Sequence, residues 1–233
     1  MEMQAAHAHL NAFLDCNGPF DGVIGFSLGA AAAMSFILEH QRKLPHEKPP
    51  FSFAVLFSPI FVASADPQCY EDLVKRLLND EHAGFRTAFP HGDLATSLEA
   101  EDELVFADYL RTVLSMHKSV GNILPDNNTR FEFFDATDGQ VVEAGNVQRL
   151  LHPVLHKSRL RIPTVVITGL GDEHAMAEQS RVATQLCAPS LMSIYTHTGA
   201  HDVPYKKSDV QKIVSLIREA AEDGMQLMSL YDL

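Results

Sequence analysis

Apolar and polar positions along the chain fall into two patterns. From Met3 to Cys16 the apolar residues recur at helical spacing, with Leu10, Phe13 and Leu14 on one side, and Asn17-Gly18-Pro19 stops the helix. Phe20 to Phe26 is a short apolar run rich in strand formers. Ala30 to Gln41 is again helical, with small residues first and then Met34, Phe36, Ile37 and Leu38. After the proline-rich loop "LPHEKPP" comes "FSFAVLFSP", Phe51 to Pro59. It is continuously apolar and bounded by turn residues, which predicts a strand buried on both faces.

The stretch from about Phe61 to Ile162 is less regular. It holds two helical candidates, Tyr70 to Asn79 and Glu99 to Lys118, and "TRFEFFDATDG" reads as a strand entering a turn. Order returns after Pro163. "TVVITG" predicts a buried strand, Ala177 to Cys187 a helix and "LMSIYTH" another strand. Asp209 to Met228 predicts a closing helix, with Val210, Ile213, Val214 and Ile217 at helical spacing. Strands alternating with helices in this way indicate an α/β class with a mostly parallel sheet. The expected organisation is one domain over residues 1–233, with a cap-like insertion at about 61–162.

Composition narrows the picture. At 46% hydrophobic, a 233-residue chain can bury a sizeable core. Its 18 basic and 30 acidic residues give a net charge of -12, which speaks against nucleic acid and anionic membranes as partners. No apolar run approaches the roughly 20 residues that span a bilayer. "MEMQAAHAHLNAF" has neither the basic start nor the long apolar core of a signal peptide. Cys16, Cys69 and Cys187 are odd in number and far apart. They read as free thiols in a reducing, cytoplasmic setting, with neither a disulfide frame nor a metal site.

The candidate chemistry sits in Gly25-Phe26-Ser27-Leu28-Gly29. The pentapeptide alone is weak, and a glycine-serine turn joining strand to helix is the competing reading. Its flanks favour a nucleophile elbow, because Ser27 directly follows an apolar strand and directly precedes an alanine-rich helix. In such an elbow the serine backbone is strained, and Gly25 and Gly29 are expected where a Cβ would collide with a neighbouring element. The Leu28 N–H, at the helix start, is placed to support developing negative charge.

A serine hydroxyl needs a base, and in this context the partners follow in the order Ser, Asp or Glu, His. Of the twelve histidines, His201 in "HTGAHDVPY" lies in the loop between the last strand and the last helix, where the base is expected. His197 sits at the strand end, and His174 is two residues past the acid. The acid is expected at Asp172 in "TGLGDEH", just after a buried strand, with Glu173, Asp202 and Asp138 as competitors. Candidates for an apolar acyl pocket are Phe85, Phe89, Phe106, Tyr109, Leu110 and Leu114, although each taken singly reads more readily as ordinary core.

Taken in order, "GPFDGVIGFSLGA", "FSFAVLFSP", "IPTVVITGLGDEH" and "HTGAHDVP" resemble the family of serine hydrolases (FSH) group of α/β-hydrolases, from about Gly18 to the last helix. The resemblance implies an α/β-hydrolase fold and esterase or thioesterase activity without a cofactor. Its implied substrate is a small acyl ester or thioester, plausible for a polyketide or other secondary-metabolite product and its synthase's acyl carrier. Two other readings are a general small-ester carboxylesterase and a non-catalytic or reduced-activity binding protein.

Two departures from the family pattern stand out. Leu28 replaces the usual glutamine, which leaves the backbone N–H in place. The opening strand and the His-Gly-type loop that supplies a second oxyanion donor are not matched. The expectation is therefore an N-terminally shortened domain with an open edge along Phe20 to Phe26, unless another segment, such as Phe131 to Gly139, covers it.

Overall fold

The expected strands form one sheet. In the computed structural model, which describes residues 2–89, 92–120 and 147–231, four strands lie side by side. They are β1 (Gly22–Phe26), β2 (Phe53–Phe57), β3 (Thr164–Gly169) and β4 (Met192–His197). All neighbours are parallel and the order is β1-β2-β3-β4. Parallel neighbours need crossovers. Helix α2 (Leu28–Lys43) joins β1 to β2, and α7 (His174–Thr184) joins β3 to β4. The β2-to-β3 connection holds α3 (Glu71–Leu77), α4 (Ala83–Ala88), α5 (Leu94–Ser97) and α6 (Glu101–Val120). Helix α1 (Glu2–Asn17) precedes the sheet and α8 (Lys207–Ser229) follows it.

The period of two along a strand explains why "FAVLF" is apolar throughout. Val55 and Phe57, with Val165 and Ile167 of β3, pack under Ile213, Leu216 and Ala220 of α8. Ala54 and Leu56, with Val166, face the other way into the main core, which includes Met34 and Ile37 of α2. Both faces of the central strands are thus covered, as a parallel sheet requires. Among the described residues β1 pairs only with β2, and its Ile24 is 67% exposed.

Most element boundaries agree with the sequence pattern to within two or three residues. Helix α7 starts at His174, three residues before the expected Ala177, because the Glu173 carboxylate accepts hydrogen bonds from the Ala175 and Met176 N–H groups. It ends at Thr184, because the chain beyond turns to pair with Leu160: the Leu160 N–H donates to Leu186 O and the Ala188 N–H to Leu160 O. The short helices α4 and α5 were not expected, since four to six residues carry too little periodicity. "TRFEFFDATDG" lies outside the described residues. Among the described residues no helix is long and apolar enough to cross a membrane.

Polar anchors hold the β2-to-β3 connection. The buried Arg149 guanidinium donates to Pro67 O, Val147 O and, at 2.7 Å, the Glu71 carboxylate. Buried Glu103 on α6 accepts from Arg76 of α3 at 2.7 Å. The buried His7 ring of α1 lies 3.0 Å from Ser35 Oγ of α2, and Ser35 donates to Ala63 O. Burial holds the His7 pKa below its ordinary value, against the pull of Glu39. The one Ser35 hydroxyl proton goes to Ala63 O, so the ring donates to Ser35 Oγ through Nε2.

Candidate active site

β1 ends at Phe26, and Ser27 turns the chain into α2 with φ 54° and ψ -119°. A positive φ at a non-glycine residue costs of order 1–3 kcal/mol and persists only where the surroundings enforce it. Here the Ser27 N–H is tied to Phe57 O at 2.9 Å, and the Ser27 carbonyl accepts from the Ala31 N–H at 3.1 Å. Ser27 occupies the N-cap of α2, yet its side chain makes no capping bond. The hydroxyl is left for other work.

Gly25 plays its expected part. A Cβ there would lie 2.6 Å from both Cα and N of Ala30, so only glycine lets the helix start pass this close to the strand. Gly29 does not. A Cβ at Gly29 would meet nothing within 4 Å among the described residues, because its Cα–Cβ direction points into open space. The expectation that both glycines prevent collisions is corrected to Gly25 alone.

The acid and base loops are joined backbone to backbone. The Leu170 N–H donates to His197 O at 2.9 Å, and the Gly171 N–H to Gly199 O at 2.8 Å. Gly169 is what allows this approach, since a Cβ there would lie 2.1 Å from Ala200 O. Gly169→Ala must therefore push the two loops apart. A misplacement of about 1 Å near a reacting centre costs about a hundredfold in rate. We expect Gly169→Ala to lower kcat by about that factor while circular dichroism shows an intact fold; unchanged kcat would mean that this close approach is dispensable.

From these two loops and the β1–α2 turn three side chains converge. Asp172 Oδ2 lies 2.9 Å from His201 Nδ1, and His201 Nε2 lies 2.9 Å from Ser27 Oγ. An ionised carboxylate only accepts, so the ring proton sits on Nδ1, Nε2 is the acceptor and the Ser27 hydroxyl donates to it. Asp172 Oδ1 accepts the Glu173 N–H at 2.9 Å, so both carboxylate oxygens are held. The Asp172 side chain is only 2% exposed, against 20% for His201. The residue at the start of α2 is Leu28. The first N–H groups of a helix have no intrahelical acceptor and carry the positive end of its dipole.

The competing residues are placed elsewhere. Glu173 caps α7. Asp202 Oδ1 approaches His197 Nδ1 at 3.7 Å and makes no bond to His201. His197 is buried at the end of β4 and accepts the Gly199 N–H at 3.1 Å. His174 is the first residue of α7. Asp138 and Phe131 to Gly139 lie outside the described residues. Two thiols are removed as rival nucleophiles by burial, which pushes Cys69 up to about 11 and Cys187 up to about 12. Among the described residues no group of three His, Cys, Asp or Glu side chains is arranged to hold a metal ion.

Where they are described, the candidate acyl-pocket residues are core, the reading the sequence favours for each taken singly. Phe85, Phe106, Tyr109 and Leu110 are buried in the main core and Phe89 packs against it, while the Leu114 side chain lies outside the described set. A cavity of about 720 Å³ does open beside Asp172, lined in part by Leu170, Ala177, Met192 and Ile194. Its lining does not include Ser27 or His201. The sequence reading also missed Gly169 and Gly199. Glycines in "TGLGD" and "HTGAHD" were the available signal, but nothing in one segment announces that it will press against the other.

Residues 1–213 match the model of the family described as Serine hydrolase (FSH1). The chain belongs to this family. It is accordingly a serine hydrolase with the α/β-hydrolase fold, and the parallel sheet flanked by helices is that fold's core. Esterase alnB of Emericella nidulans is 33% identical over 202 residues, which cover 87% of this chain and 67% of that protein. Serine hydrolase cnsH of Penicillium expansum is 24% identical over 209 residues, covering 90% of this chain and 81% of that protein. Among solved structures, the monoacylglycerol lipase of Paleococcus ferrophilus is 14% identical with a TM-score of 0.44, over 95% of this chain and 76% of that one.

Proposed function

We propose that this serine hydrolase cleaves acyl esters and thioesters through a Ser27-His201-Asp172 triad. The observation that supports it most is the unbroken pair of 2.9 Å contacts from Ser27 Oγ through His201 to Asp172. Ser27 Oγ attacks the acyl carbon while His201 Nε2 takes its proton. Asp172 keeps the proton on Nδ1 and stabilises the imidazolium. The Leu28 N–H donates to the oxyanion. His201 then gives the proton to the departing alkoxide or thiolate, which leaves as the alcohol or thiol. Water, activated by the same nitrogen, cleaves the acyl-enzyme and regenerates Ser27.

Residues 61–162 act in this reading as a cap on the same domain. In support, α6 packs against α7, the helix that starts two residues after Asp172. A secondary-metabolite acyl group, polyketides included, is the substrate class that the family resemblance favours. The net charge of -12 disfavours an acidic carrier protein as its donor.

The test uses one acyl group delivered as an oxygen ester and as a thioester, with hydroxylamine competing against water. Both substrates should turn over and give the same hydroxamate-to-acid ratio, because both pass through one acyl-enzyme. Ratios that depend on the leaving group would contradict a common Ser27 intermediate.

A further inference from the structure

The two hydrogen bonds of His201 lie along its ring edge and leave one freedom. Nδ1 and Nε2 define an axis between Asp172 and Ser27, and neither bond resists rocking of the ring about it. A neighbouring side chain must do that. The Phe26 ring is in place for it: its centroid lies 5.1 Å from that of His201, with the two planes tilted at 50°. The sequence puts it there. Phe26 is the last residue of β1, on the side that pairs with Phe57, and the chain turns away sharply at Ser27. Phe26 nevertheless remains 41% exposed, so core packing alone does not account for an aromatic ring at this place.

We propose that Phe26 is a positioning residue for His201, fixing the plane of the imidazole and stabilising the imidazolium formed as the Ser27 proton transfers. The inference rests on the triad reading above. A cation within about 6 Å of an aromatic centroid is attracted by the ring quadrupole. That attraction exists only while His201 is charged, so it acts on the reaction barrier and leaves ground-state binding alone. A leucine at this position would cover similar apolar surface without supplying the quadrupole.

The experiment replaces Phe26 with phenylalanine carrying one, two or three ring fluorines, which weaken the quadrupole at nearly constant shape. Inactivation by a fluorophosphonate is followed as kinact and KI. The account predicts a graded fall in kinact reaching about two- to fivefold, with KI unchanged. Phe26→Tyr should stay within about twofold of the parent, and Phe26→Leu should fall at least as far as the most fluorinated ring. Equal kinact across the fluorine series, in a protein whose Ser27 labels normally, would overturn the role of Phe26. A parent chain that did not label at Ser27 would remove the triad reading, and this inference with it.

Discussion

Ser27→Ala abolishes hydrolysis and fluorophosphonate labelling and leaves the fold unchanged. Alanine lacks the oxygen that forms the acyl bond, so what remains is background catalysis by the oxyanion donor and binding. Removing the nucleophile of a serine hydrolase costs about a millionfold in kcat. Folding is spared because the 2.9 Å bond to Phe57 O belongs to the Ser27 backbone and the side chain makes no capping bond. The positive φ costs alanine and serine alike. Turnover and thermal unfolding of the two proteins decide it. Undiminished turnover in the alanine variant would take Ser27 out of the mechanism.

Asp172→Asn has the second-largest expected effect, about four orders of magnitude in kcat. The asparagine amide can donate where the carboxylate could only accept. It then favours the imidazole tautomer with its proton on Nε2, which faces Ser27 Oγ with a hydrogen and no lone pair. The size and place of the side chain hardly change, so the loss reports chemistry and not packing. Asp202→Asn is the control, because Asp202 approaches His197 and makes no bond to His201. It should lower kcat far less. The reverse ranking, measured on one ester under one set of conditions, would identify Asp202 as the acid.

The sequence and the structure agree most closely where local patterns decide the outcome. Continuous apolar runs at Phe53–Phe57 and Thr164–Gly169 read as strands buried on both faces, and they are. Ser27, Asp172 and His201, the proposed triad, stand out in the sequence because an elbow marks a candidate nucleophile and chain order ranks its partners. The structure places His201 2.9 Å from each of the other two. What stayed hidden depends on contacts between distant segments. Gly29 looked structural by its place in the motif, yet its neighbourhood is open. Gly169 looked unremarkable, yet a Cβ there would strike Ala200 O in the other loop. Helix α7 began early because of Glu173, a residue first weighed only as a rival acid. The aromatic residues proposed for an acyl pocket obey helical periodicity. Periodicity shows that a face is buried, but not whether substrate or protein buries it.

The central claim is that turnover passes through an acyl group on Ser27. The direct measurement is rapid quenching during hydrolysis of an activated ester, followed by digestion and mass spectrometry. The tryptic peptide of residues 1–42 contains both Ser27 and Ser35, so fragmentation must separate them. Ser35 is buried and already bonded to His7 and Ala63. The account predicts the acyl mass on Ser27, appearing within the first turnover and decaying as substrate is exhausted. Turnover with the acyl group on another residue, or with none on Ser27 at any quench time, would contradict it.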